Sequence, residues 1–279
     1  MTATTSPTGT NDATESGRGA GATFVTTVSQ TARRTALQFA RTPQLLITGT
    51  INGAVYLFMF RYVIGGAIET GTRLDYVDFL VPGFLVTIIL WNGMTIPAGV
   101  AEDAASGVFD RLRSLPIPRA AAVVGRSIAD TALLSWGLLV TTLFSLAIGY
   151  RFHGDAADIV LAFTLLLLAT FAFSWLFITL GLLARNAQAA QGLTMLVIPL
   201  VFISSAYVPV NSMPGWLQPV GDHQPITVIS NALRSLMLGG ASPGVGHNTS
   251  YWVALSAIWC TGILAVFGSV AISRFARRR

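Results

Sequence analysis

The sequence contains no lysine, because all 17 of its basic residues are arginines. A phosphate-binding loop of the GxxxxGK[ST] type needs its lysine, so the chain cannot bind and hydrolyse a nucleotide in that way. Its single cysteine, Cys260, excludes an intrachain disulfide and a cysteine-based metal site. The three histidines show no metal-ligand spacing, and the HExxH and GxSxG motifs are absent. We therefore expect no enzymatic site, no bound metal and no nucleic-acid partner.

Charge is also scarce, since charged residues make up only 10% of the chain and hydrophobic residues 53%. Soluble domains carry about 25% charged residues. A membrane core about 30 Å thick needs roughly 20 apolar residues per helix, and it offers no hydrogen bonds to an open backbone. We predict an all-α membrane protein with six transmembrane helices, at residues 44–65, 79–101, 120–150, 159–183, 193–210 and 251–272. Pro97 and Pro199 are expected to kink the second and fifth spans.

The distribution of arginine predicts the orientation of the chain. An even number of spans places both termini on one side. If that side is the cytoplasm, thirteen arginines lie inside, and the four outside are Arg61, Arg73, Arg151 and Arg234. Positive charge favours the cytoplasmic side of a membrane. We therefore expect both termini to be cytoplasmic.

Three further segments flank the predicted membrane domain, which extends over residues 44–272. Residues 1–22 are rich in Thr, Ser, Gly and Ala and are expected to form a disordered cytoplasmic tail. Residues 23–43 carry apolar residues at helical spacing, with arginines between them. This pattern predicts an amphipathic helix in the cytoplasmic interface or, alternatively, a surface helix on a soluble partner. Residues 273–279 form a basic cytoplasmic tail.

The loop between the second and third spans concentrates charge in one stretch, GVFDRLRSLPIPRAAAVVGR, residues 107–126. Asp110, Arg111 and Arg113 lie on one face of a short predicted helix, which Pro116 and Pro118 end. Four apolar residues share the other face: Val108, Phe109, Leu112 and Leu115. Such a helix can dock into a groove on another protein. The alternative is a connector that its positive charges anchor at the membrane.

The segment after the fifth span, residues 211–240, carries two short amphipathic patterns. The first consists of Met213, Trp216, Leu217 and Val220. The second consists of Ile226, Ile229, Leu233 and Leu236. Pro219 and Pro225 bracket the predicted turn between them. Two such helices could form a re-entrant hairpin in the outer leaflet, as a lid over an exit path. The alternative is an outer loop that rests on the membrane through its tryptophan.

Polar and aromatic residues inside the spans mark a candidate path for cargo. Polar side chains are costly in a bilayer and indicate a pathway lining or a contact between helices. The candidates are Asn52, Phe84, Trp91, Asn92 and Phe202. The aromatic residues among them suit plain lipid contact equally well. Arg126 and Asp130, four residues apart in the third span, are predicted to pair on one helix face.

Two stretches resemble the daunorubicin-resistance-type permeases of the ABC type-2 exporter family. The coupling segment of that family is similar to AEDAASGVFDRLRSLPIPRAAAVVGRSIAD, residues 101–130, and its extracellular stretch to YVPVNSMPGWLQPVGDHQPITVISNALRSLMLGG, residues 207–240. The resemblance implies two permeases, identical or related, bound to two cytoplasmic ATPase subunits that hold ATP and Mg. It also implies a cytoplasmic coupling helix in which Glu102, Asp103, Asp110, Arg111 and Arg113 face the ATPase. We expect the apolar stripe described above, with Val108, Phe109 and Leu112, to take part in the same coupling.

Together these features predict a permease subunit of an ATP-driven exporter in a bacterial plasma membrane. Its cargo is expected to be a hydrophobic or amphiphilic compound, a drug or a lipid, released past an extracellular gate at Met213, Trp216, Leu217 and Pro225. Two other classes stay open: a proton-driven multidrug carrier or channel that needs no ATPase, and a structural membrane scaffold. No chain of intramembrane acids suggests a proton relay, which weakens the carrier hypothesis.

Replacing Phe109 by Asp tests the docking helix. A charge in the apolar stripe should release the ATPase subunit without unfolding the spans, because the new carboxylate would have to lose its water when it enters the groove on that subunit. Affinity purification of the tagged permease in mild detergent measures the retained ATPase. Ser106→Asp adds the same charge outside the stripe and should retain it. If the Phe109→Asp variant retains as much ATPase subunit as the unchanged permease, docking through this face is contradicted.

Overall fold

A computed structural model describes residues 25–26, 28–30, 32–33, 37, 51, 53–64, 76–108, 119–239 and 247–277. Within these residues the secondary structure is helical and includes no strand. Four helical stretches are long and apolar enough to cross a membrane: Tyr76–Ala105, Val123–Ala147, Ala156–Leu183 and Thr249–Phe275. Two apolar helices are shorter, Gly53–Val63 and Ala187–Phe202. The expectation of an all-helical membrane protein is therefore confirmed, while the number of six spans stays a prediction.

We number the helices in chain order as α1 (Gly53–Val63), α2 (Tyr76–Gly93), α3 (Ile96–Ala105), α4 (Arg119–Ala147), α5 (Ala156–Leu183), α6 (Ala187–Thr194), α7 (Val197–Phe202), α8 (Gln218–His223), α9 (Pro225–Met237) and α10 (Thr249–Arg277). A π-helical turn, Phe60–Ile64, closes α1. The predicted tail at 1–22 lies outside the described residues. The predicted interface helix at 23–43 is helical wherever it is described.

Helix α5 is the centre of the fold, because it packs against α2, α3, α4, α6, α9 and α10. A helix that is apolar around its circumference is buried by neighbours on several sides. Small residues let these neighbours approach. A Cβ atom at Gly181 would lie only 2.7 Å from the carbonyl oxygen of Pro97 on α3. The hydroxyl of Thr179 donates a hydrogen bond of 2.9 Å to the carbonyl of Phe267 on α10.

The second span is broken where its proline predicts a kink. Pro97 has no backbone N–H for the carbonyl four residues earlier, that of Gly93, which is the last residue of α2. The turn at Met94–Thr95 separates α2 from α3. There the hydroxyl of Thr95 donates to the carbonyl of Asn92. Pro199 has the same effect on the fifth span, since the turn at 195–196 separates α6 from α7.

The third span ends three residues earlier than expected, at Ala147 rather than at Tyr150. Gly149 has a φ angle of +107°, which a residue with a side chain rarely adopts. The amide of Gly149 donates to the carbonyl of Leu146, and that of Tyr150 to the carbonyl of Ser145. This arrangement is a Schellman motif, the common way in which glycine ends a helix.

The fifth span differs most from the prediction of one helix over 193–210. The helical stretch begins earlier, at Ala187, and ends at Phe202. The following segment, 203–209, is not helical. Its backbone instead bonds to distant side chains, as when the amide of Ser205 donates to the hydroxyl of Thr227 on α9 at 2.9 Å. Hydropathy alone predicts a continuous helix here, because it does not register these contacts.

Two short helices, α8 and α9, follow the fifth span as predicted, but of the first predicted group only Val220 lies within α8, since Met213, Trp216 and Leu217 precede it. The two helices meet at Gln224, and Pro225 begins α9, whereas Pro219 lies in the first turn of α8 instead of bracketing the turn. Helix α9 packs against α2, α5 and α10, and both its apolar and most of its polar residues are buried. Its carboxyl end reaches the loop after α4, where the carbonyl of Met237 accepts from the amides of His153 and Gly154. Helix α9 is thus part of the core.

Replacing Gly93 by Ala should destabilise the contact between α2 and α5. A Cβ atom there would overlap the ring of Phe177, which is fully buried, and overpacking costs about 1–3 kcal/mol. Gly192→Ala is the matched control, because a Cβ atom there meets no neighbour within 4 Å. Thermal unfolding in detergent should show a lower midpoint for Gly93→Ala, restored by the second change Phe177→Leu. Equal midpoints for the two glycine variants would contradict the packing.

Candidate functional site

Five aromatic side chains gather around Tyr207, and together the six form what we call the Tyr207 cluster: Tyr56, Phe60, Phe84, Trp91, Phe202 and Tyr207 itself. The ring of Phe60, in the π-helical turn of α1, stacks on that of Tyr207 at 4.7 Å between centroids and an interplanar angle of 4°. Phe84 of α2 and Phe202 of α7 lie 6.5 Å and 6.1 Å from it. Tyr56 stacks on Trp91 at 6.3 Å. Three parts of the chain that are distant in sequence therefore build one aromatic wall.

Hydrogen bonds fix the ring of Tyr207 against α2. Its hydroxyl accepts from the indole N–H of Trp91 at 3.1 Å and donates to the hydroxyl of Thr87 at 3.0 Å. The hydroxyl of Tyr76, at the start of α2, donates to the backbone carbonyl of Tyr207 at 3.3 Å. These bonds satisfy the hydroxyl groups of Tyr207 and Tyr76, which are both buried, as amphipathic aromatic residues require.

The Tyr207 cluster extends from the interior to the surface of the described fold. Phe84 and Tyr207 are buried, whereas Tyr56 is 40% and Phe202 61% exposed. Aromatic faces prefer stacked or edge-on partners, and each such pair adds about 0.5–1.5 kcal/mol beyond burial. The exposed rings therefore offer a flat apolar molecule the same kind of contact that holds the cluster together.

Three of the five predicted path residues, Phe84, Trp91 and Phe202, belong to this cluster. Asn92 does not, because its amide lies against α4, where a Cβ atom at Gly137 would be 2.6 Å from the Asn92 Nδ2 atom. Asn52 lies outside the described residues. Tyr207 itself was missed, because the prediction of a continuous fifth span gave no reason to single it out. The sequence feature that could have identified Tyr207 is the run SSAY at 204–207, whose polar residues interrupt the apolar pattern.

Arg234 is the least expected feature of the site. The charge count places it in an outside loop, but its side chain is only 1% exposed, inside α9. Its Nε atom donates to the carbonyl of Phe79 at 3.0 Å, and its Nη2 atom to the carbonyls of Ser205 and Ala206 at 2.6 and 3.3 Å. The Nη1 atom donates to the hydroxyl of Ser205 and to the amide oxygen of Asn231. All these acceptors are neutral oxygens.

The guanidinium of Arg234 joins the start of α2 to the segment that follows α7. It lies over the ring of Phe79 at 3.9 Å from the centroid, a distance at which the cation and the π electrons attract. A buried charge is tolerated only when its donors are satisfied. One acceptor, the carbonyl of Phe79, lies within α2, since a carbonyl oxygen has two lone pairs and can accept a second bond. The non-helical backbone at Ser205 and Ala206 supplies the other two carbonyl acceptors.

The predicted gate residues lie in the segment before α8 and at the start of α9. Trp216 is 78% exposed, and Pro225 occupies the first turn of α9. Met213 and Leu217 are partly buried, and the carbonyl of Met213 accepts from the side chain of Gln218 at 2.9 Å. Their position flanks the short helix α8, while their role as a gate stays a prediction.

The predicted coupling residues are only partly described. Glu102 is exposed near the end of α3, and Val108 is partly buried. The carboxylate of Asp103 bonds to the guanidinium of Arg126 on α4. The predicted pair of Arg126 and Asp130 is confirmed, with Nε–O distances of 2.9 and 3.1 Å. The other predicted residues lie outside the described part: Phe109, Asp110, Arg111, Leu112 and Arg113.

Comparison with known proteins adds independent information. Residues 26–238 match the family model described as ABC-2 type transporter. The chain is 31% identical over 241 residues to the daunorubicin resistance ABC transporter permease protein DrrB1 of Streptomyces coeruleorubidus, covering 86% of this chain and 82% of that protein. It is 24% identical over 249 residues to the probable doxorubicin resistance ABC transporter permease protein DrrC of Mycobacterium tuberculosis, covering 87% and 88%. Nodulation protein J of Rhizobium meliloti is 25% identical over 250 residues, covering 87% and 90%.

Replacing Arg234 by Met should destabilise the fold strongly. The change keeps an unbranched but shorter side chain and removes the donor of the buried, non-helical carbonyls of Ser205 and Ala206, at about 1–3 kcal/mol for each unpaired group. Arg151→Met is the matched control, because Arg151 is exposed and bonds to carbonyls at a helix end. Size-exclusion chromatography and tryptophan fluorescence during heating measure the difference. Equal yield and equal midpoint for the two variants would contradict a structural role of Arg234.

Proposed function

The chain belongs to the ABC-2 type transporter family, and from that premise we propose the transport reaction in which it takes part. It is the permease subunit of an ABC exporter, a multi-pass membrane protein that is not itself an enzyme, and the ATPase activity belongs to a partner subunit. We propose that it moves a hydrophobic or amphiphilic compound with a flat aromatic part out of the cell. ATP and Mg are held by the partner subunit.

The observation that carries this cargo class is the Tyr207 cluster. Its outer members, Tyr56 and Phe202, are exposed, and the buried ring of Tyr207 is held by hydrogen bonds to Trp91 and Thr87 of α2. A preorganised aromatic surface loses little conformational entropy when a ligand stacks on it. The names of two relatives, which refer to daunorubicin and doxorubicin resistance, agree with a planar aromatic cargo. The name of nodulation protein J supplies no such indication.

We further propose six spans with both termini in the cytoplasm. The four long apolar stretches supply the second, third, fourth and sixth spans, and α1 and the pair α6–α7 belong to the first and fifth. The arginine distribution supports this orientation. In this topology α8 and α9 form the extracellular re-entrant hairpin, and the segment between α3 and α4 is the cytoplasmic coupling helix.

The assembly follows from the family. We propose two copies of the ATPase subunit and a second permease, identical or related, so that the cargo route lies between two membrane subunits. The cargo would leave past the exposed end of the hairpin at Trp216, in a bacterial plasma membrane. The proton-driven carrier has no comparable support, because the family match and the relatives named above all describe ABC transporters or are silent on the energy source.

Replacing Phe202 by Ala tests the cargo route. The variant loses one exposed stacking partner, so efflux of daunorubicin should slow by roughly two- to tenfold, the equivalent of about 0.5–1.5 kcal/mol for one aromatic pair. Leu200→Ala is the matched control, because Leu200 is an exposed apolar residue of the same helix and has no ring. Daunorubicin fluorescence in cells that express the permease with its ATPase subunit measures the rate.

Phe202→Leu separates aromatic stacking from apolar contact, since it keeps most of the apolar area. Slow efflux with both Phe202 variants supports stacking on the Tyr207 cluster. Parent-like efflux with Phe202→Ala would remove the cluster from the route. A parent complex that exports no daunorubicin would instead contradict the proposed cargo class.

A further inference from the structure

Three charged side chains meet where α3 and α4 approach the coupling segment: Asp103, Arg126 and Asp130. The guanidinium of Arg126 bonds through Nη1 to the carboxylate of Asp103 and through Nε to both oxygens of Asp130. The side chain of Arg126 is 14% exposed, that of Asp103 24%, and that of Asp130 not at all. Such shielded charges are screened by salt much less than surface charges, so the contact holds its geometry.

The contact joins the two helices that flank the coupling segment. Helix α3 ends at Ala105 and α4 begins at Arg119, so both helices lead directly into the segment between them. Asp103 lies two residues before the end of α3, and Arg126 lies two turns inside α4. Among the described hydrogen bonds and ion pairs, the bond from Arg126 to Asp103 is the one that joins these two helices.

Helices α3 and α4 share α5 as a neighbour but differ in their other partners. Helix α3 also packs against α6, whereas α4 also packs against α2 and α10. The guanidinium of Arg126 passes over Gly99 of α3, where a Cβ atom would lie 3.2 Å from its Nη2 atom. A glycine at this position leaves room for the close approach of the arginine. Helix α3 therefore offers both a gap and a carboxylate to one side chain of α4.

Asp130 fixes the direction of the arginine. It lies one turn after Arg126 on the same helix, and its two oxygens hold the Nε edge of the guanidinium. The planar fork of an arginine presents donors in fixed directions, so the Nη1 atom is directed toward α3. A lysine would carry the same charge but could not hold both carboxylates in this geometry.

We propose that Arg126 is a positioning residue that clamps α3 to α4, so that force on the coupling segment moves both helices as one unit. The inference rests on the proposed function, because it requires an ATPase subunit that acts on this segment. Helix α3 packs on α6, and α7, which carries Phe202 of the Tyr207 cluster, follows α6 after one turn. The clamp thus stands at the start of a packed route from the coupling segment to the aromatic wall.

The proposal changes the role of Asp103. The family resemblance predicts that Asp103 contacts the ATPase subunit, but its carboxylate already binds Arg126. Removing the Asp103 charge should therefore leave the ATPase bound and make its rate insensitive to cargo. A residue in the ATPase interface would show the opposite result, loss of the bound subunit.

The test uses the complete complex of permease and ATPase subunit in lipid nanodiscs, with daunorubicin as the probe. The variants are Asp103→Asn, Asp103→Glu, Arg126→Lys and the double variant with Asp103→Asn and Arg126→Lys. Asp103→Asn keeps the pair of Arg126 and Asp130, so it leaves no buried charge unpaired. Asp155→Asn is the matched control, because it removes a carboxylate from an exposed residue at the start of α5.

The readout is the ratio of ATPase rates with and without daunorubicin, together with the amount of ATPase subunit that co-purifies. Asp103→Asn should retain the subunit and lower the ratio at least about fivefold, the lower end of typical coupling between two sites. Arg126→Lys should lower this ratio likewise. The ratio of the double variant should be no lower than that of the more affected single variant. Asp103→Glu, which keeps the carboxylate, should show a ratio close to that of the parent complex. Loss of the subunit with Asp103→Asn, a ratio equal to that of Asp155→Asn, or additive effects would overturn the clamp.

Hydrogen exchange in the same complexes tests the clamp independently of the proposed cargo. A parent complex whose ATPase rate ignores daunorubicin would count against the proposed cargo. The clamp is then decided by backbone amides in the last two turns of α3, which should exchange faster in Asp103→Asn than in Asp155→Asn. Equal exchange in the two variants would overturn it.

Discussion

The buried guanidinium of Arg234 is the contact on which the α7–α9 region depends. A charge that is removed from water must find acceptors for its donors, and here they are backbone and side-chain oxygens of α2, α9 and the segment after α7. Helix α7 ends at Phe202, and the carbonyls of Ser205 and Ala206, which follow it in non-helical backbone, accept from Arg234. The close approach of Ala206 to α2 is possible because residue 83 is a glycine.

The same arrangement orients the Tyr207 cluster. Tyr207 directly follows the two residues that bind Arg234, and its side chain runs along α2 to Thr87 and Trp91. A regular helix would rotate this ring away from its present partners, since each helical residue turns the chain by about 100°. The aromatic wall thus depends on the polar contact between Arg234 and the two residues that precede Tyr207. Aromatic composition alone does not predict such a site.

The sequence was sufficient for features that depend on local chemistry. Hydropathy predicts the long spans, Pro97 and Pro199 mark the interruptions, and Arg126 and Asp130 pair because they share a helix face. It was insufficient where partners are distant. The partner of Arg234 at Phe79 is 155 residues away, and a charge count places any arginine in water. Asp103 was likewise assigned to a partner protein because its bond to Arg126 spans 23 residues.

Two arginines connect the helices at the two ends of the proposed route, and a lysine would be a poor substitute at either. Arg126 binds two carboxylates at once, and Arg234 binds backbone oxygens from two separate segments. Both tasks need several donors in fixed directions, which a guanidinium has and an ammonium lacks. Tyr207 directly follows Ala206, so the ring of the aromatic wall and a carbonyl that accepts from Arg234 belong to neighbouring residues of one non-helical segment. Arg234 connects this segment to α9 through neutral oxygens, whereas Arg126 connects α3 to α4 through two carboxylates.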